Sequence, residues 1–150
     1  MHRMLVVVAI ILTAGSTIAS EKTDVIAVVN QFIDGFNKDD VKVALAACAA
    51  PAFIIDEFPP YAWQGPTACA DWANDFDANS KREKITEPVV KLGKTRHVDV
   101  TGERAYVVVP ANYNFKQDGK PMAETGSTFT VALQKVAAGW RITGWAWSKH

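Results

Sequence analysis

The chain has 150 residues, with 16 Lys+Arg balanced by 16 Asp+Glu. That length fits one domain, and 49% hydrophobic against 21% charged residues supplies a core and excludes a disordered chain. Zero net charge argues against a nucleic-acid binder, which needs a basic surplus on one face, and the sequence carries no zinc-ligand spacing, phosphate loop or Gly-x-Ser-x-Gly elbow.

Residues Met1 to Ser20 read as a secretory leader. His2 and Arg3 form a short positive start, Leu5 to Leu12 is an unbroken apolar run, and Thr17-Ile18-Ala19-Ser20 offers small residues for cleavage. The apolar run is far shorter than the roughly 20 residues of a membrane span. The reading predicts a secreted or periplasmic protein whose single domain occupies residues 21–150. Cys48 and Cys69 both lie in that domain. An even pair in an oxidising compartment predicts a disulfide between them.

Helices come first. Val25, Val28, Val29, Phe32, Ile33 and Phe36 recur at steps of three and four, the stripe of an amphipathic helix, with Thr23 or Asp24 as its cap. Asn37-Lys38-Asp39-Asp40 breaks it, and Asp39 can cap a second helix carrying Val41, Ala44, Leu45 and Cys48 on one face until Pro51. A short strand, Ala52 to Phe58, ends at Pro59-Pro60, and Tyr61 to Gln64 forms a brief return. Gly65-Pro66-Thr67 opens a third helix with Cys69, Trp72, Ala73 and Phe76 inward, ending at Asn79-Ser80.

The remainder reads as strands: Val89–Val100, Ala105–Phe115, Thr125–Val136 and Trp140–Trp147, separated by Gly-bearing turns. Val107, Val109, Ala111, Tyr113 and Phe115 share one face, as do Ser127, Phe129, Val131 and Leu133. A three-residue loop, Gln117-Asp118-Gly119, keeps the two apolar sets together and predicts Val107 opposite Phe129. For the last strand both loop lengths fit, so either Trp140 and Ile142 or Trp145 and Trp147 face inward. Three helices on one face of a curved antiparallel sheet make an α+β domain.

The order α-α-β-(β)-α-β-β-β-β resembles the NTF2-like superfamily, in particular its SnoaL-like and ketosteroid-isomerase-like members. The likeness is carried by Val29 to Asp40 with its Asn-x-x-Asp break, by Phe53-Ile54-Ile55-Asp56, by Trp63-Gln64-Gly65-Pro66 and by Gly139-Trp140-Arg141-Ile142. The resemblance implies a cone with a pocket between sheet and helices, often paired through the outer sheet face. It also implies functions ranging from isomerases, cyclases and dehydratases to domains without known chemistry.

Asp56 matches the place where catalytic members keep a carboxylate base, and apolar walls from Phe53, Phe58, Tyr61, Trp63, Trp72 and Tyr113 would raise its pKa. Glu57 is expected to point away, because strand neighbours face opposite sides. Phe32 stands where steroid isomerases present an inward Tyr, and Gly126 to Thr130 holds no acid, which argues against steroid isomerase activity. Phe32, Phe115 and Phe129 complete the expected pocket. His97 and Asp99 share a strand face and read as a solvated pair. Tyr106, Val108, Pro110, Thr128, Thr130 and Ala132 lie on the opposite sheet face and suit a homodimer interface. No metal or cofactor is expected. Two functions follow: binding of a small hydrophobic or aromatic molecule without turnover, or catalysis of the cyclase, isomerase or dehydratase kind with Asp56 as base.

Overall fold

The computed structural model describes residues 14–150, with side chains from Thr17 onward. Most of the leader expected over Met1–Ser20 lies outside the described residues; from Ala14 the chain is already helical. The elements are α1 (Ala14–Asn37), α2 (Val41–Ala46), β1 (Cys48–Ile55), β2 (Ala62–Gly65), α3 (Ala68–Arg82), β3 (Ile85–Leu92), β4 (His97–Thr101), β5 (Arg104–Gln117), β6 (Lys120–Val136) and β7 (Gly139–Ser148). This is the expected α+β architecture of a curved sheet with helices against one face.

In α1 the residues Val25, Val29, Phe32 and Ile33 are buried, as their spacing predicts. Thr23 and Asp24 lie inside this helix instead of capping it, and Thr23 Oγ1 donates back to Ala19 O at 3.1 Å. The break also caps one residue later than expected. Asp39 adopts a left-handed φ of 55°, and Asp40 accepts from Val43 N to start α2. Asn37 then ties the helix end to the sheet: its Nδ2 donates to Val90 O and its Oδ1 accepts from Val90 N, both at 2.8 Å.

Cys48 is the first residue of β1, not part of a helix, because α2 ends at Ala46. A disulfide joins it to Cys69 in the first turn of α3, across a sequence separation of 21. A bridge closing a loop of that size contributes roughly 3 kcal/mol, largely by restricting the unfolded chain.

The sheet order is β2-β1-β7-β6-β5-β3, with β4 also on β5. One pair, β1 with β7, runs parallel, and the others are antiparallel. The single strand expected over Val89–Val100 is two. Pro110 on β5 has no N–H to offer the ladder, so the facing chain loops out between Gly93, whose N–H donates to Pro110 O, and Arg96, whose N–H donates to Val108 O.

Register departs from expectation in an informative way. The β5–β6 turn has two residues, Asp118 and Gly119, both at positive φ, and pairs Gln117 with Lys120. Left alone, that register would split the apolar sets. A bulge at Thr125-Gly126, with Gly126 at φ 80°, restores them: Val109 faces Phe129 and Val107 faces Val131, not Phe129. A second bulge falls at Thr143, between the Leu133–Ile142 and Ala132–Gly144 pairs. It re-phases β7 in mid-strand, so Trp140 and Ile142 before it and Trp145 after it are all buried, and Trp147 follows on the same side. The two alternatives for the last strand therefore both occur.

Candidate functional site

The inner face of the sheet and the helices enclose an apolar slot of about 80 Å³. Phe32 and Phe36 reach it from α1, Trp72 and Phe76 from α3, Tyr113 from β5, Phe129 from β6, and Trp145 and Trp147 from β7. The rings are in mutual contact: Phe32 lies 5.8 Å from both Trp72 and Trp145, and Trp72 meets Trp145 edge-on at 5.0 Å.

Asp56 lies where β1 ends. The chain leaves the strand after Ile55 and bends through Glu57 and Phe58, with Asp56 N donating to Tyr61 O and Tyr61 N donating to Phe58 O. Strand alternation stops there, and Glu57 lines the slot beside Asp56 instead of pointing away. Asp56 Oδ2 accepts from Trp72 Nε1 at 2.8 Å, and Oδ1 accepts from Glu57 N at 2.7 Å. Burial pushes the Asp56 carboxyl up to about 6, against the lowering effect of these two donors.

Glu124 completes the mouth. It stands on β6 just before the Gly126 bulge, opposite Tyr113. It accepts from Ser127 Oγ and, at 2.8 Å, from Trp147 Nε1. Burial would raise Glu124, but these donors, a hydrogen bond with Glu57 and the charge of Lys149 hold it below the ordinary range. Burial first, and then Glu124, push Glu57 up to about 7. Of the two carboxyls, Glu57 is the one that holds its proton more tightly. Lys149 Nζ lies 3.3 Å from Glu57 Oε2 and 3.3 Å from Glu124 Oε2. Burial opposes its charge, yet the two acids keep the ammonium above its usual value.

Two residues that line the slot carry buried donors without a hydrogen-bond partner among the described residues: the Tyr113 hydroxyl and the Trp145 indole N–H. Tyr113 is 8% and Trp145 5% exposed. Burial, and then Glu57, Asp56 and Glu124, make the phenol harder to ionise than a free one. Unpaired buried polar groups cost stability, and in a ligand pocket they are completed by what binds there.

Of the residues expected in the pocket, Phe32, Asp56, Phe58, Trp72, Tyr113 and Phe129 line it. Phe115 stacks behind Tyr113 at 4.7 Å. Trp63 lies buried behind Phe58 and donates to Asp75 Oδ2. Phe53 and Tyr61 do not contribute and are 45% and 58% exposed. Phe53 alternates outward between the buried Ala52 and Ile54, and Tyr61 sits in the tight turn at φ 71°. Sequence reasoning missed Glu57, Glu124 and Lys149. Glu124 lies two residues before the acid-free stretch Gly126–Thr130, and only the bulge brings it round. His97 and Asp99 form an exposed pair at 2.5 Å, on the other side of the sheet edge beside Tyr106.

A larger groove of about 720 Å³ lies between α1, α2, α3 and β3, sharing Phe32, Phe36, Trp72 and Phe76 with the slot. Its acids Asp39, Asp77 and Glu87 are exposed, so it lacks the desolvated carboxyls that single out the slot. No described cluster of His, Cys, Asp and Glu could hold a metal ion, and no described helix is long and apolar enough to cross a membrane.

Several solved structures share this architecture. An NTF2-like superfamily protein from Salmonella enterica serovar Typhimurium is 16% identical, with a TM-score of 0.74 over 87% of this chain and 92% of that one. A ketosteroid isomerase-like protein from Erwinia carotovora atroseptica is 16% identical, with a TM-score of 0.67 over 86% and 95%. An NTF2-like protein with a cystatin-like fold from Novosphingobium aromaticivorans is 14% identical, with a TM-score of 0.71 over 91% and 86%. At such identities the likeness is one of fold. No curated protein matches the sequence significantly. The SnoaL-like domain family matches residues 25–149, which takes in every strand and nearly all of the packed part of α1. The chain therefore belongs to the SnoaL-like domain family, and its fold is the one seen in the NTF2-like structures.

Proposed function

We propose that this protein binds a small apolar or aromatic molecule in the slot beneath Asp56. The observation that carries the reading is the slot itself, walled by the rings of Phe32, Trp72, Phe129 and Trp145, with two of its lining residues, Tyr113 and Trp145, carrying buried donors that have no partner among the described residues. The volume of about 80 Å³ is well short of the roughly 300 Å³ at the lower end of drug-sized pockets, so the occupant is a compact molecule and not a fused polycycle. A panel of single-ring hydrophobic compounds tests this by thermal unfolding. A compound at about a hundredfold its dissociation constant stabilises the fold by about 2.7 kcal/mol, and a panel with no upward shift overturns the reading.

A second reading is favoured by one observation: the Asp56 carboxyl, held by Trp72 and raised by burial to about 6, is poised to exchange a proton near neutrality. On that reading the protein is an isomerase, cyclase or dehydratase with Asp56 as general base. Asp56→Asn should then abolish turnover without loss of fold, and unchanged turnover would reject it. Phe32 brings no hydroxyl to the slot, which continues to count against a steroid isomerase. On the same footing we propose export, from the leader pattern of Met1–Ser20, and pairing of two copies through the outer sheet face around Tyr106, which is 45% exposed.

A further inference from the structure

We propose that the slot's ligand is a protonated amine carried on a small aromatic or branched apolar group, the ammonium seated at the mouth by Asp56 and Glu57 and the apolar end held among Phe32, Trp72 and Trp145. The inference rests on the pocket reading above and names the ligand class.

Four observations converge on a cation. The residues that line the slot include two carboxyls, Asp56 and Glu57, and no Lys, Arg or His. Asp56 has only neutral N–H partners, from Trp72 and the Glu57 backbone, and no ion pair with it is present among the described residues. An ionised carboxylate in an apolar wall without a counter-ion is stabilised by any cation that enters. The chain itself already places an ammonium at this mouth: Lys149 Nζ bridges Glu57 and Glu124 at 3.3 Å from each. Finally, the buried Tyr113 hydroxyl has no partner, and a phenol oxygen accepts a hydrogen bond from an ammonium.

The walls fit the same ligand. Indole and phenyl faces attract a cation over their centres, Trp most strongly. Phe32, Trp72 and Trp145 line the slot and pack against one another as one continuous aromatic wall, with centroid separations of 5.0 to 5.8 Å. An anion is repelled by the two lining acids. A neutral carbonyl compound would satisfy Tyr113 and Trp145 but would leave the Asp56 charge without a counter-ion. On this view Lys149 is an internal competitor that mimics the ligand's charged end.

A matched series separates these cases: benzylamine, benzyl alcohol, acetophenone and benzoate, titrated into the full chain at about pH 8, where the carboxyls are ionised and the amine is protonated. Fluorescence of the slot tryptophans and calorimetry report binding. Benzylamine should bind about tenfold or more tighter than benzyl alcohol, the scale of a charge-assisted hydrogen bond, and benzoate should not bind. Asp56→Asn, checked for fold by circular dichroism, should reduce benzylamine to the affinity of the alcohol. Lys149→Met, checked for fold in the same way, should tighten benzylamine severalfold and leave the alcohol unchanged. Equal or tighter binding of benzyl alcohol or acetophenone, or no gain from Lys149→Met, overturns the amine assignment while the pocket reading stands. If none of the four binds, both fall.

Discussion

The two ends of the interior are built from the same strands and behave oppositely. At one end Val107, Val131, Leu133 and Ile142 meet Val25 of α1, each 1% exposed or less, and close the space with aliphatic side chains. Glu21 seals that end at the surface, accepting from Trp140 Nε1 and pairing with Lys135. At the other end Phe129, Tyr113, Trp145 and Trp147 occupy the same face of the same strands, but flat rings and three carboxyls meet there and leave a slot. Aliphatic side chains interdigitate and fill volume, whereas large rigid rings held edge-on leave gaps between them. The comparison separates an end built for stability from an end built to receive something.

The largest effect should come from damaging the closed end. Leu133→Ala removes a fully buried side chain from a site with little room to collapse and should cost about 2–5 kcal/mol in denaturant unfolding, with no dependence on pH. A cost near zero would mean this end is not the stabilising one.

A smaller effect of opposite sign is expected at the slot. Asp56 ionises near 3.8 when free and near 6 in the folded chain. The folded chain therefore holds the proton more tightly, and stability from this group is greatest below about pH 4 and falls as pH rises through 3.8 to 6. Asp56→Asn removes that loss. It should stabilise the protein by about 3 kcal/mol at pH 8 and leave it little changed below pH 4. A variant destabilised at both pH values would show that Asp56 is a structural acid, and the contrast between the two ends would fail.

The smallest effect sharpens the boundary of the slot. Tyr61→Ser, at an exposed turn residue, should change stability by no more than about 0.5 kcal/mol and leave ligand-induced thermal shifts intact. A lost shift would bring the loop after Phe58 into the binding site.

Much of this molecule could be read along the chain because the signals are local. The stripe from Val25 to Phe36, the polar break at Asn37–Asp40, the helix after Gly65 and the β-branched runs each follow from side-chain period and turn chemistry within a dozen residues. So did the place of Asp56, at the end of a short strand. The mouth could not be read in the same way. Glu57 joined Asp56 because β1 stops at Ile55, three residues before the expected end at Phe58, and Glu124 arrived through an extra residue at the Gly126 bulge. Trp145 turned inward because of a second bulge at Thr143. A bulge changes which face every later residue occupies, and it is selected by how two strands pair and not by either strand's own pattern. The elements and their order came from local periodicity; the convergence of acids and rings on one slot came from strand registers that exist only once the sheet has formed.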